Sequence, residues 1–378
     1  MILYSKKNIV ISAVILIVVI TGCGEPADEE IVPVDPVLTA KIDSLLLAEI
    51  DQGNIPGAAV LIQKNDTVLY RNVHGYAHLF DRNLKRLPGP EAMTPDHLFD
   101  LASLTKVLAT TFGIMLLKDR GMVDLDDPVH QYLQEFEQGD KRKITVRHLL
   151  NHSSGLEQWY PFYYHASSSE ERYRVIAGRP LKFPVGESRR YSDAGFMVLG
   201  DLIKKVSGRP LDQFLNEELY QPLGLKKTVF NPLEKGFSKI AATSHGNPFE
   251  KRMVYNDNFG YKVDVDPESW DGWRDYTLKG EVNDGNAWHA NNGVAGHAGL
   301  FSTPDEIGVL VELLLNKGKH DGQTLISEEV IDEFLRKDKF GNGLGWAMDP
   351  QIFSAAGAPD GTFGHTGFTG TSVVAIPS

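Results

Sequence analysis

Cysteine is almost absent from this chain of 378 residues: Cys23 is the only one, so no intrachain disulfide can form. Basic charge is also scarce. Lys and Arg number 38 against 50 Asp and Glu, giving a formal net charge of −12 with no basic stripe. Phosphate binding takes its affinity from clustered Lys and Arg, so a nucleic-acid partner is excluded. The longest apolar run, Ile9 to Ile20, is shorter than the roughly 20 residues that a membrane-spanning helix needs. No internal repeat is evident. What is present, 42% hydrophobic and 23% charged residues, is the composition of a globular protein with a sizeable core.

Lys6 and Lys7 form a short basic region ahead of the apolar run, which ends at Ile20, Thr21, Gly22 and Cys23. This pattern resembles a bacterial lipobox at the end of a signal peptide. The resemblance implies a leader over 1–23 with a lipidated Cys23, and a flexible acidic tether over 24–37. The folded domain then runs over 38–378, held on a membrane of the cell envelope by acyl chains and facing the periplasm or the exterior. An uncleaved N-terminal anchor is the alternative.

Past the tether, Ile42, Leu45, Leu46 and Ile50 have helical spacing with one buried stripe. Ala58–Gln63 and Thr67–Val73 read as a hairpin turning at Asn65 and Asp66. A buried helix is expected from Ser103 through Leu117, ending near Gly121, and another from Ala194 to Val206. Thr303, Pro304 and Glu306 predict a capped helix start, as does Ser327 before Glu328 and Glu329. Strands are expected at Gly343–Ala347, Thr362–Gly367 and Thr371–Ile376. The stretch from Asn231 to Trp288 has little periodicity and reads as long loops over a site. Strands at both ends with helices between predict an α/β fold of the α+β type, with a central, mostly antiparallel sheet flanked by helices and a helical subdomain. The sequence stops at Ser378 after an apolar strand, which implies either an exposed edge or a missing final strand and helix.

Ser103 and Lys106 stand three residues apart at the start of an apolar helix, so they share a face and the amine can reach the hydroxyl. Burial would draw the Lys106 pKa down toward that of a useful base, and free N–H groups at the helix start would face an oxyanion. Tyr191, Ser192 and Asp193 precede the second helix, and His365, Thr366 and Gly367 lie on a strand near the C-terminus.

Together these motifs resemble the serine β-lactamase-related family, with the fold of β-lactamases and transpeptidases. It includes class C β-lactamases, penicillin-binding proteins, esterases and cell-wall amidases. ITVRHLLNHSSGL (Ile144–Leu156) and QPLGL (Gln221–Leu225) look like further family hallmarks. The resemblance implies that Ser103 forms an acyl-enzyme while Lys106 and Tyr191 share the proton transfers. It also implies that the N–H groups of Ser103 and Phe368 form the oxyanion hole. Asp193, His365, Gly367 and Phe368 would contact substrate. Asp193 departs from the usual Asn and would hold Lys106 protonated. His365 replaces the Lys of the penicillin-recognising members, which makes efficient β-lactam hydrolysis less expected.

The stretch GEVNDGNA from Gly280, followed by GVAGHAGLFST from Gly293, resembles members that act on muropeptides. This adds Asn283 and Asp284 as substrate-binding candidates, unless with His297 they only tie loops together. The expected substrates are muropeptide amides, then carboxylic esters, then β-lactams. A catalytically silent peptidoglycan-binding protein is a further reading. The family uses no metal or other cofactor, and His152 reads as a structural loop residue rather than as a ligand paired with His148.

Overall fold

A computed structural model describes residues 14–21, 35–64, 67–259, 261, 263–348 and 357–377. The main sheet contains β1 (Val14–Thr21), β2 (Gly57–Lys64), β3 (Thr67–Phe80), β4 (Arg86–Ala92), β5 (Phe363–Thr366) and β6 (Thr371–Pro377). Its spatial order is β5-β6-β1-β2-β3-β4. β2 pairs antiparallel with β3, β3 with β4 and β5 with β6, whereas β1 lies parallel to both β6 and β2. The hairpin expected over 58–73 is present as β2 and β3, while Asn65 and Asp66, read as its turn, lie outside the described residues. Ala58, Ala59, Val60 and Leu61 are all buried, which explains why β2 reads as a continuous apolar run: both faces of a central strand are covered.

Val14–Thr21, within the stretch read as a leader, forms β1, and β6 is flanked by β5 and β1. Two expectations change. Gly343–Ala347 forms no strand, and only Ala347 bridges to Gly364. The first helix, Pro36–Asp51, buries no residue fully: Ile42, Leu46 and Ile50 are half-buried and Leu45 stays 62% exposed.

The helical layer is built on the segment after Ser103. Lys106–Thr110 is a π-helical turn that continues into the helix Thr111–Asp119, with every residue from Lys106 to Leu117 buried. Such a turn often marks a functional site. A Cβ on Gly113 would stand 2.7 Å from Ile203 Cδ1, so glycine lets this helix close onto the helix Asp193–Ser207. That second helix begins with Ser192, whose hydroxyl accepts the Gly195 N–H at 3.0 Å.

Candidate active site

Ser103 is placed by a small sheet rather than by the main one. Phe99 and Asp100 pair with Ser302 and Phe301, and the Leu101 N–H donates to Leu300 O at 2.9 Å. Ala102 then takes φ 45°, the left-handed region that costs a residue with a Cβ about 1–2 kcal/mol. Surrounding bonds hold the turn there. Asp100 accepts the N–H groups of Ala102 at 2.9 Å and Asn283 at 2.6 Å. Thr369 donates to Asp100 O and Thr371 to Leu101 O, so the turn after β5 clamps the chain just ahead of the serine. Burial pushes the Asp100 carboxyl up to about 6, against the pull of these two N–H groups.

The half-buried Ser103 hydroxyl accepts from Lys106 Nζ at 2.9 Å. The amine also donates to His297 O at 3.1 Å and stands 2.7 Å from Asp193 Oδ1, so three partners surround its three protons. Lys106 is wholly buried. Burial pulls its pKa down as anticipated, but Asp193, followed by Tyr191, more than reverses this, and the net shift is upward. The resting amine is therefore an ammonium. Tyr191 lies with its ring centroid 4.9 Å from Nζ. Its hydroxyl interacts with both Lys106 and Ser103, but burial outweighs them and raises its pKa, leaving a neutral phenol.

The structure also places the other residues singled out above. Phe368 lines the cavity with Ser103, and neither backbone N–H is taken by another group among the described residues. These are the two donors an oxyanion needs. Gly367 sits beneath them: a Cβ there would come within 2.5 Å of Leu101 O and 2.1 Å of Thr371 Oγ1. His365 is not among the described cavity-lining residues. It packs behind Tyr191 at 6.0 Å, and burial pulls it down to about 3, so it stays neutral. Asn283 and Asp284 reach the cavity wall and also tie loops together. Asn283 Nδ2 donates to Ser244 Oγ, while Asp284 caps the helix Gly285–Asn291 and meets His297 Nε2 at 2.9 Å. His152 accepts the Ser192 N–H and packs on Tyr191, whereas His148 caps its own helix at Thr145, so the two perform separate structural tasks. Cys23 lies outside the described residues.

The cavity, about 160 Å³, is walled largely by residues that the motifs do not reveal. Trp159, Phe249, Met253, Tyr261 and Phe368 supply apolar and aromatic surface, and Gln158, Asn247, Asn283, Asp193, Glu250 and Asp284 supply polar groups. No Lys or Arg lines it among the described residues. The long region expected to be loops does cover the site, but it contains the helix Pro248–Tyr255, which carries Phe249, Glu250 and Met253 to the wall. Asn247, Pro248 and Glu250 give that helix a capped start that the sequence displays.

Comparison with known proteins agrees with this geometry. The Beta-lactamase family profile matches residues 42–378. The chain is 32% identical over 359 residues to an N-acetylmuramyl-L-alanine amidase of Bacillus subtilis (strain 168), covering 89% of this chain and 78% of that protein. It is 33% identical over 354 residues to a Salmonella agona (strain SL483) protein named for D-alanyl-D-alanine carboxypeptidase activity, covering 88% and 78%. Among solved structures, EstCE1, a hydrolase with promiscuous acyltransferase activity, superposes with a TM-score of 0.66 at 22% identity, covering 89% of this chain and 90% of that one. A penicillin-binding-protein homologue from Caulobacter crescentus gives 0.64 at 21%, covering 89% and 88%. Both structures share the fold. With the profile matched over most of its length and a serine beside a buried lysine at its centre, this chain belongs to the beta-lactamase family and is a serine hydrolase.

Proposed function

We propose that the enzyme cleaves an amide bond of a cell-wall muropeptide, of the kind joining the lactyl group of N-acetylmuramic acid to L-alanine. The observation that carries this reading is the charge of the cavity. Asp193 and Asp284 face it, no Lys or Arg among the described residues does, and His365 is neutral. A β-lactam or a D-alanyl-D-alanine terminus brings a carboxylate that needs a cation, whereas an internal amide brings none. Similarity to the Bacillus subtilis amidase supports the same choice.

In this reading the Ser103 hydroxyl attacks the lactyl carbonyl while the unprotonated fraction of Lys106 takes its proton. The Ser103 and Phe368 N–H groups hold the oxyanion. The C–N bond breaks as Tyr191 passes a proton to the departing amine of L-alanine, and Tyr191 is reprotonated from Lys106. Water then attacks the muramoyl ester, releasing N-acetylmuramic acid and restoring Ser103. Turnover of small carboxylic esters by the same steps is the second reading, favoured by the apolar lip at Phe249 and Phe368, whose rings stand 5.1 Å apart.

Lipid anchoring at Cys23 on the cell envelope is proposed with it, on the lipobox pattern alone. The deciding experiment incubates the protein with muramyl dipeptide and separately with a p-nitrophenyl ester, and reads the products by mass spectrometry. Free N-acetylmuramic acid and peptide, absent in Ser103→Ala, are expected. Ester turnover alone would transfer the assignment to an esterase.

A further inference from the structure

Two aromatic rings at the mouth of the cavity are open to solvent. Phe368 is 55% exposed and Phe249 39% exposed, and both line the cavity that holds Ser103. Their centroids stand 5.1 Å apart. Phe259 backs Phe249 edge-on at 4.5 Å, and the Arg252 guanidinium lies over the Phe259 ring at 4.7 Å. The apolar surface left open at this end is therefore that of Phe249 and Phe368.

The backbone beneath both rings is tied down. Phe368 lies in a turn closed by the Gly370 N–H on Gly367 O at 3.1 Å, and Thr369 fastens that turn to Asp100 O at 2.6 Å. Phe249 is in the first turn of the helix Pro248–Tyr255. Asn247 caps this turn by accepting the Glu250 N–H at 3.1 Å, and its own amide donates to Asn283 Oδ1 at 3.0 Å. Glu250 adds a further tie by accepting the Gly285 N–H at 3.0 Å. A surface held in place before a ligand arrives loses little conformational freedom on binding it.

Position decides what the rings meet. The Phe368 N–H is one of the two oxyanion donors, so its ring stands within one side chain's length of the reacting carbonyl. In a muropeptide only the lactyl carbon and an ether oxygen separate that carbonyl from the sugar ring. The cavity, about 160 Å³, falls short of the roughly 300 Å³ at which pockets that enclose a drug-sized ligand begin, so a group as large as the sugar lies at the mouth. Rings that border on water suit a group with one apolar face and one hydroxylated face. A pyranose of the glucose type is such a group, because its axial C–H bonds make one face apolar. A group apolar all round would leave surface in water there, and a carboxylate would lose hydration against two uncharged rings.

We propose that Phe249 and Phe368 form a specificity-determining platform on which the pyranose of the muramyl group stacks while its lactyl carbonyl lies at Ser103. This rests on the muropeptide-amide reading and assigns the sugar of that substrate to a surface.

The test compares kcat and KM for muramyl dipeptide and for the same dipeptide carrying lactate without the sugar. The wild type, Phe249→Ala, Phe249→Tyr and Phe368→Ala are measured, the last of which keeps the backbone N–H of the oxyanion hole. Fluorophosphonate labelling of Ser103 and thermal unfolding are followed alongside. The wild type is expected to prefer the muramyl compound in kcat/KM by about tenfold or more, the return for covering one apolar face. Each alanine variant is expected to lose most of that preference through KM, and Phe249→Tyr to keep it. A merely structural role would slow both substrates together and leave their ratio unmoved. A wild-type ratio of one or less, or alanine variants that label at Ser103 and keep the wild-type ratio, overturns the proposal while leaving the amidase reading intact. A wild type that labels at Ser103 but cuts neither compound overturns both.

Discussion

Lys106 Nζ stands 2.7 Å from Asp193 Oδ1, an ion pair between a fully buried amine and a carboxylate with 15% of its side chain exposed. The pair fixes the amine beside Ser103 and also keeps it protonated, because Asp193 and Tyr191 together overcome the downward pull of burial. Position and basicity are therefore set against each other by one residue.

Removing that charge should free the base at lower pH. In Asp193→Asn burial acts on Lys106 with less opposition, so its pKa falls and the unprotonated fraction appears earlier as pH rises. The acidic limb of kcat/KM for a p-nitrophenyl ester is expected to move down by about one unit or more. An unmoved limb would mean that Asp193 does not govern Lys106.

Lys106→Ala removes the amine from the Ser103 hydroxyl altogether. Acylation by the ester should drop by about two or more orders of magnitude, measured as single-turnover burst kinetics. Near-wild-type acylation would leave Tyr191 as the base.

Gly367→Ala probes the clamp between the turn after β5 and the serine. Its Cβ would come within 2.5 Å of Leu101 O, so backbone must shift on one side or the other. Denaturant unfolding should show a loss of about 1–3 kcal/mol, and phosphonate labelling of Ser103 should slow about tenfold or more. Wild-type values for both would show that the contact yields freely.

Asp284 joins the cavity wall to the helix Gly285–Asn291 and to His297. Burial would raise its pKa, but His297 first and the helix N–H next draw it down to about 2 from 3.8. A depressed carboxyl stabilises the fold above its unfolded pKa and loses that contribution as pH falls through the folded one. Asp284→Ala should thus cost about 1–3 kcal/mol at neutral pH, with the gap to wild type closing between about pH 4 and pH 2. Denaturant unfolding at a series of pH values reads this, and a gap independent of pH would refute the assignment.

Processing at Cys23 and retention of β1 exclude one another, since cleavage there would remove Val14–Thr21 from between β2 and β6. Intact mass of the membrane fraction is expected to show residues 1–22 gone and acyl chains added, with Cys23→Ser full-length. A wild-type chain that keeps residues 1–22 would establish β1 as part of the folded protein.

The sequence by itself determined the features that depend on neighbours along the chain. Ser103 and Lys106 meet because three residues of helical winding bring them together, Ser192 and Thr303 open helices because their hydroxyls reach the N–H three residues on, and β2 pairs with the strand next to it in sequence, β3. Family resemblance carried Tyr191 and Asp193 to the same place. Tertiary structure alone decided the direction of the Lys106 shift, because burial and Asp193 act oppositely and only distance says which wins. It set His365 behind Tyr191, outside the described lining of the cavity. It also brought Glu250 to Gly285, 35 residues apart in the chain, where burial first and the neighbouring Asp284 carboxylate next push its carboxyl up to about 8 against the pull of the Gly285 N–H. No periodicity encodes such a contact, since electrostatic environment is a property of what folds against a residue and not of what precedes it.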